Sequence, residues 1–332
     1  MNQSLQELCE LQISNEIAVK KASFMELDAM IKMAALFYTS RNQHADPDKI
    51  RACKEILKKK TGLFSNFRGA LRYAIQVKMA LSPDPEKYLD EVISIYRKLA
   101  EGRIFAGEIL VMTAITIYEQ SKGQDIDSVI SKTKEAYARI KSAHRFLTDE
   151  NDMSFIALMV MTGKDVEKTT EEVEKLYITL KDRYRIPSDS AQSVALVLSM
   201  SNKPLEQKVD DYISFYEKLK SVKHHSSRGK SMSVYAAYAD IDISKDILAE
   251  EIGEVDEWLK GQKGYGMLSA GTDVRRVMAA TLVLQNHAAE SLVSVNTGAP
   301  EVVSQVIAED VILTILLIII ISINVSAAAS SS

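Results

Sequence analysis

The sequence has few of the residues that usually form a catalytic or metal site. It holds two cysteines, Cys9 and Cys53, and one tryptophan, Trp258, among 332 residues. Two widely separated cysteines give neither the paired spacing of a zinc site nor a disulfide framework, which is typical of a protein in a reducing cytoplasm. The formal net charge of −4 argues against recruitment of nucleic acid by overall charge.

Two further patterns are missing. Apolar and polar residues do not alternate over a useful length, so the sequence predicts no β-strand. The first ten residues include Glu7 and Glu10 and lack the basic stretch and apolar run of a signal peptide. The composition, 46% hydrophobic and 26% charged, is ordinary for a folded protein. We therefore expect an all-α chain, and we predict no catalytic residue, metal site or cofactor from these patterns.

A repeat of about 40 residues runs along most of the chain. Its marker is a tyrosine at Tyr96, Tyr137, Tyr177 and Tyr216, and Asp256 occupies the next equivalent position. Residues four before and three after each marker are mostly apolar, which is the pattern of a helix with one apolar face. These residues are, before the marker, Val92, Thr133, Val173, Tyr212 and Ile252, and after it, Leu99, Ile140, Leu180, Leu219 and Leu259.

Acidic residues with the same period predict where the second helix of each repeat begins. A negative side chain in the first turn of a helix is stabilised by the positive end of the helix dipole. At the first of these starts, Asp46 is a good N-cap and Pro47 is tolerated at the first helical position. The acidic positions lie 39 to 41 residues apart, at Asp46, Glu86, Asp127, Glu167, Glu206 and Asp246.

Shorter apolar segments precede these starts and predict the first helix of each repeat. The predicted first helices span residues 64–79, 105–118, 152–161, 188–200, 231–238 and 273–287, after an opening helix over residues 5–40. One hairpin cannot bury its own apolar face, whereas stacked hairpins build a continuous core. We therefore predict one domain over residues 1–299, in which tandem helical hairpins of about 40 residues stack as a solenoid-like array. The alternative is a closed α/α toroid, as in some terpenoid cyclases and glycosidases.

Several segments carry a resemblance to a known family. They are the opening helix, the repeated type of segment at residues 95–99 (Ile-Tyr-Arg-Lys-Leu), the helix ending at residues 79–82 (Met-Ala-Leu-Ser) and the Ala/Ser tail at residues 327–332. Over nearly its whole length the chain resembles bacterial proteins catalogued as domain of unknown function 4003. The resemblance implies an all-helical, cytoplasmic protein, and it implies no activity or site.

The best candidate for a ligand site is Gly229, Lys230 and Ser231, which end a segment similar to a phosphate-binding loop. Histidine stands where the first glycine of such a loop belongs, and no strand precedes it. We predict at most a weak anion site at this helix start, and a basic linker is the plainer interpretation. The adjacent His224 and His225 lack a spaced set of further ligands and are interpreted as a surface pair.

An acidic run at residues 149–152 (Asp-Glu-Asn-Asp) is similar to the carboxylate cluster of a magnesium-diphosphate site. It stands directly before a predicted helix, where acidic residues are expected for capping. We therefore interpret these residues as capping residues.

The end of the chain departs from the repeat. Residues 311–325 hold no charge and, with the alanines up to residue 329, approach the roughly 20 apolar residues that span a bilayer. We predict that residues 300–332 form a strongly apolar terminal helix with an Ala/Ser tail, packed on the same domain or on a second copy of the chain. The alternative is a tail anchor that inserts residues 311–329 in a membrane.

These patterns favour a non-enzymatic protein-binding or scaffolding module of unknown partner in the cytoplasm. The first alternative is a toroid enzyme with a central acidic pocket, and the second is a tail-anchored membrane adaptor. Broad surfaces for partners are typical of helical arrays, but a fold alone does not determine function.

Deletion of residues 300–332 should cause aggregation or unfolding, because the last repeat would then lose the cover of its apolar face. Size-exclusion chromatography and thermal unfolding of the full and shortened chains measure this effect. A tail anchor would give the opposite result. The deletion would then release a well-folded protein, and the full chain would stay with membranes through an alkaline carbonate wash.

Overall fold

The computed structural model confirms that the described part of the chain is all-helical, with fourteen α-helices and no β-strand. The described residues are 1–23, 26–62, 65–69, 71–102, 107–121, 123–143, 152–224, 230–239, 241, 243–266 and 271–294.

The helices alternate between two kinds. Outer helices bury one face, and they are α1 (Gln3–Ala22), α3 (Pro47–Lys60), α5 (Pro85–Ala100), α7 (Ile126–Ala143), α9 (Val166–Ile178), α11 (Leu205–Ser221) and α13 (Lys245–Lys260). Inner helices are buried around nearly their whole circumference wherever their side chains are described, and they are α2 (Asp28–Thr39), α4 (Arg72–Leu81), α6 (Glu108–Gln120), α8 (Met153–Met161), α10 (Ser188–Leu198), α12 (Ser233–Ala236) and α14 (Gly271–Ser294). A helix that is apolar all round must be covered on every side by neighbours.

Each outer helix packs against the next outer helix along the chain, from α1 to α13. Among the inner helices, α2 packs on α4. The inner helices from α6 onward form a second series, in which α6 packs on α8, α8 on α10, α10 on α12 and α12 on α14. Each outer helix also packs on the inner helix that follows it. In addition, α1 packs against α14, so the first and last described helices of the series are in contact.

The prediction of one opening helix over residues 5–40 was wrong. The chain forms two helices, α1 and α2, which pack against each other as a hairpin. Ser23 and Leu27 have extended backbone conformations between them, and Leu27 is 60% exposed. The segment contains no proline or glycine, so no local signal predicts the break. Folding back allows α1 to cover one side of the buried α2.

The other predicted first helices are present with shifted ends. The segment predicted over residues 64–79 begins as a 3-10 turn, Asn66–Arg68, and continues as α4 only from Arg72. Between the two, the carboxylate of Glu108 occupies the space where a side chain at Gly69 would lie. The segment over residues 231–238 forms a 3-10 turn, Lys230–Met232, followed by the short α12.

The repeated tyrosines are structural. Tyr137, Tyr177 and Tyr216 are buried, and Tyr96 is half-buried. All ten of the framing residues that the repeat predicted are buried as well. A lysine one turn later places its ammonium over three of the rings, at 5.1 Å for Tyr137, 5.4 Å for Tyr177 and 4.8 Å for Tyr216. Each ring is thus fixed between the core and a cation.

The periodic acidic residues connect consecutive outer helices. In each case a basic residue at the end of one helix, or just after it, pairs with the predicted acidic residue of the next outer helix. These pairs are Lys60–Glu86 at 3.3 Å, Lys98–Asp127 at 2.5 Å, Arg139–Glu167 at 3.2 Å, Arg183–Glu206 at 3.3 Å and Lys218–Asp246 at 2.5 Å. Asp46, the first of the acidic series, caps α3 as predicted. Exposed pairs contribute little stability individually, but this series links neighbouring repeats in one register.

The strongly apolar segment 311–325 and the whole of residues 300–332 lie outside the described residues. Among the helices that are described, none combines the length and apolar character required to cross a membrane.

Replacing Tyr177 with alanine should lower the free energy of unfolding by about 3 to 5 kcal/mol, because a large ring that is only 4% exposed would leave a cavity. Urea denaturation measures the loss. Tyr96→Ala is the matched control, since this half-buried ring occupies the equivalent position and should cost less. Equal losses in the two variants, or an unchanged midpoint for Tyr177→Ala, would contradict this account of the packing.

Candidate functional site

The structure describes two of the three predicted anion-site residues. Gly229 lies outside the described residues. Lys230 begins the 3-10 turn before α12, and Ser231 is buried within that turn. Anion binding by Gly229, Lys230 and Ser231 therefore stays a prediction.

The acidic run before α8 is described only at its last residue. Asp152 occupies the N-cap position of α8, although its side chain accepts no capping hydrogen bond, and residues 149–151 lie outside the described part. Within the described residues, no group of three or more His, Cys, Asp or Glu side chains is arranged to hold a metal ion.

A buried polar group connects the last four helices. Contrary to the interpretation as a surface pair, His224 is only 1% exposed. The turn after α11 has a left-handed residue at Lys223, with φ of +58°, which directs His224 back into the core. His224 Nδ1 lies 3.3 Å from Asp256 Oδ2, and His224 Nε2 lies 3.4 Å from the hydroxyl of Tyr235. His225, its neighbour in the sequence, lies outside the described residues.

Asp256 is the residue that takes the place of the repeat tyrosine. Its carboxylate is buried and binds the guanidinium of Arg275 through two contacts, Oδ1 to Nε at 2.6 Å and Oδ2 to Nη2 at 3.3 Å. Tyr235 lies on α12, Asp256 on α13 and Arg275 on α14, so one side chain from each helix enters the group. Replacing an aromatic ring with a buried charge requires such a partner.

Burial and charge fix the protonation states in this group. Burial lowers the pKa of His224, and attraction to Asp256 offsets this only in part. Burial alone would raise the pKa of Asp256, but its contacts with His224 and Arg275 outweigh burial and hold the pKa at about 2. Burial also raises the pKa of Tyr235. At neutral pH the group therefore contains a neutral histidine, an ionised aspartate and a protonated tyrosine.

The order Tyr235, His224, Asp256 is similar to that of a nucleophile, its base and an orienting acid. An activated nucleophile requires a lowered pKa and access to a substrate. Tyr235 is fully buried and its pKa is raised, so the geometry gives this group a structural role. It joins α11 and α12 to α13 and α14 through polar contacts instead of apolar packing.

A second buried group joins the two ends of the described chain. Glu16 on α1 accepts hydrogen bonds from Gln12 and from Tyr265, which follows α13. Lys32 on α2 lies 3.7 Å from Glu16 and places its ammonium 4.4 Å from the centre of the Tyr265 ring. Burial raises the pKa of Glu16, against the opposing effects of Lys32, Tyr265 and Gln12. Gly264 has a φ of +91°, and a side chain there would approach Lys32 Nζ.

A third group has the same composition. Lys78 on α4 pairs with Glu119 on α6, and the ammonium of Lys78 also lies 4.3 Å from the centre of the Phe37 ring. Tyr88 on α5 donates a hydrogen bond of 2.7 Å to Glu119. In all three groups a carboxylate inside the fold is neutralised by a cation and bonded to a polar ring. The three carboxylates belong to different helices and do not converge on one another.

An open cleft of about 690 Å³ lies where α1 meets α14. Its walls come from three places: one face of α1, the end of α2 with the turn that follows, and the middle of α14. Gln285 lines this cleft from α14, and neither its amide nitrogen nor its amide oxygen has a hydrogen-bond partner in the part of the chain that the structure describes. Sequence patterns did not identify Gln285, because a single glutamine after an apolar run is ordinary for an amphipathic helix.

The stability of the fold should fall as the pH decreases below about 6.5, the ordinary pKa of histidine. Because burial lowers the pKa of His224, the unfolded chain takes up a proton there more readily than the folded chain. The contribution of this residue has a limit of about 1.4 kcal/mol per pH unit, which corresponds to one proton. Urea denaturation between pH 5 and pH 7.5 measures the dependence.

The matched variants are His224→Gln, which should lose this pH dependence, and His44→Gln, which alters an exposed histidine and should keep it. Glu16 acts in the opposite direction, because its raised pKa favours protonation of the folded chain. Glu16 is present in both variants, so the difference between them isolates His224. Identical pH profiles in the two variants would contradict a buried neutral His224.

Comparison with known proteins identifies the family. The model of the family described as "Protein of unknown function (DUF4003)" matches residues 16–320. No curated protein and no solved structure matches the chain. The match includes α2 to α14 and the end of α1, and thus both buried groups at the ends of the series. Because it covers well over half of the 332 residues, the chain belongs to the DUF4003 family of proteins of unknown function.

Proposed function

We propose that the protein is a non-enzymatic binding module, built as a closed array of helical hairpins, which recognises a protein partner through its outer helices. The closed arrangement is supported by the contact between α1 and α14. Here α1 packs against the inner helix that follows it, α2, and against the last described inner helix, α14, as α5 packs on α4 and α6 and α7 packs on α6 and α8. This arrangement is the closed alternative to the solenoid-like array.

The observation that carries the proposal is that carboxylates inside the fold are paired with cations of the same fold. Glu16 forms an ion pair with Lys32, Glu119 with Lys78 and Asp256 with Arg275. A toroid enzyme would instead require carboxylates that converge in an open central pocket. Many exposed charged groups lie on the outer helices, and surfaces of this kind bind proteins in other helical arrays.

The outer helices differ in charge. On α3 the exposed face carries Lys54, Lys58 and Lys59, whereas on α13 it carries Glu250 and Glu257. Complementary charge speeds association and selects partners. A partner with a charged surface would therefore distinguish α3 from α13.

The proposed location is the cytoplasm of a bacterium. Cys9 and Cys53 are free and buried, and burial raises their pKa values to about 12 and about 11, so that both remain unreactive thiols. Association of two copies through residues 300–332, or of those residues with a membrane, remains part of the proposal and awaits the deletion experiment.

Affinity capture tests the proposed function. The immobilised wild-type chain should retain the same protein from the cells that produce it naturally, as identified by mass spectrometry. Two charge-reversed variants provide matched controls: Lys54→Glu with Lys58→Glu and Lys59→Glu, and Glu250→Lys with Glu257→Lys. One of them should lose the partner and the other keep it. Both should unfold near the wild-type midpoint, because surface substitutions usually change stability by less than about 0.5 kcal/mol each.

Two results would contradict the proposal. One is that no protein is retained above the level of an immobilised protein of similar size and charge. The other is that both charge-reversed variants retain the partner as well as the wild type does, which would place the interaction away from the outer helices.

A further inference from the structure

We infer that the cleft between α1 and α14, called here the seam cleft, binds a short zwitterionic peptide. The seam cleft is lined by Glu7 and Glu10 of α1, by Arg41 and His44 after α2, and by Gln285 of α14. The inference does not depend on the proposed protein partner, because that partner is expected on the outer faces of α3 or α13.

The size of the seam cleft fits a small ligand. Its volume of about 690 Å³ lies within the range of roughly 300 to 1,000 Å³ that is typical of small-molecule sites. The side chains of Leu8 and Leu11 on α1 add apolar surface to its wall, and both are half-buried. The other lining residues are polar or charged, so the seam cleft suits a small polar ligand.

Gln285 provides the specific polar group. The residue is 7% exposed, and its amide has two donor hydrogens and an acceptor oxygen, none of which is satisfied. Buried polar groups are nearly always hydrogen-bonded, so an amide that has no partner among the described residues is satisfied either by water in the cleft or by a ligand that displaces that water. A peptide group or carboxamide satisfies both sides of the Gln285 amide at once, because it also carries a donor next to an acceptor.

The charges around the seam cleft are of both signs and come from different elements. Glu7 and Glu10 on α1 each accept a hydrogen bond of 2.9 Å from a neighbouring glutamine and keep further acceptor capacity. Arg41 and His44 are exposed, and neither forms an ion pair within the described residues. The turn that presents them contains Asn42, which has a φ of +49°.

This distribution favours a zwitterion over other ligands. A free anion would meet Arg41 but would be repelled by the two glutamates, and a metal cation would meet the reverse arrangement. A molecule with an ammonium at one end, a carboxylate at the other and an amide between them matches all three sets of groups. The ammonium binds at Glu7 and Glu10, the carboxylate at Arg41, and the amide at Gln285.

Calorimetric titration of the full chain with glycylglycine, triglycine and tetraglycine tests the inference. At least one of these probes should bind, whereas N-acetylglycinamide, which has the amide without the charges, should bind at least about tenfold more weakly. Gln285→Leu should weaken binding of the zwitterion about tenfold or more. It should also leave the unfolding midpoint unchanged or raised, since the amide makes no hydrogen bond in the ligand-free fold.

Gln192→Leu is the matched control. Gln192 is also a buried glutamine on an inner helix with both amide atoms unpartnered, but it does not line the seam cleft. This variant should bind as the wild type does. Arg41→Ala, at an exposed position, should weaken binding and preserve the fold, so it tests the site even if Gln285→Leu fails to fold.

Three outcomes would overturn the inference. The wild type binds none of the three zwitterions, or N-acetylglycinamide binds as tightly as they do, or Arg41→Ala and a folded Gln285→Leu bind with wild-type affinity. Absence of protein-partner binding with retained zwitterion binding would contradict the proposed function and leave the inference about the seam cleft intact. Retained binding of the protein partner with loss of zwitterion binding would contradict the inference about the seam cleft and leave the proposed function intact.

Discussion

Burial of the inner helices around their whole circumference is the constraint that organises this fold. A helix such as α2 or α8 has no polar face to turn toward water, so it requires neighbours in every direction. The outer helices cover one side, and adjacent inner helices cover two more. At the ends of a linear stack this cover would be missing, because terminal repeats need a polar outer face. The contact of α1 with α14 supplies part of the cover that the ends lack.

The same constraint explains the buried charged groups. A core with little water accepts a carboxylate only beside a cation and hydrogen-bond donors. Asp256 is paired with Arg275, and Glu16 with Lys32, and in both cases the partners lie on different helices. Breaking such a pair is much more costly than never having formed it, because the remaining charge stays buried. These groups therefore select one arrangement of helices among several that apolar packing alone would permit, which is a role that buried polar groups are known to have.

The sequence predicted features that depend on neighbouring residues and missed those that depend on contacts between residues far apart in the chain. The tyrosine frame and the acidic helix starts were predictable, because they depend on spacing within one helix and on the dipole at its end. The break between α1 and α2 was not, since no proline or glycine marks it and the benefit comes from covering α2. Nothing local distinguishes a buried His224 from a surface histidine. Its partners Tyr235 and Asp256 lie 11 and 32 residues away in the sequence, although the replacement of a repeat tyrosine by Asp256 was a visible signal.

The seam cleft follows from the way the two ends meet. Most contacts in the fold join consecutive elements, whereas the contact between Glu16 and Tyr265 joins residues 249 positions apart. Contacts of such long range are costly in chain entropy and gain little from local structure. At this junction the packing of α1 on α14 leaves an open cleft with Gln285 at its wall. A ligand held between α1 and α14 would add contacts across the junction itself. Binding there would therefore stabilise the packing of α1 on α14 by an amount that rises with the logarithm of the ligand concentration above Kd, and this packing would in turn raise the affinity for the ligand.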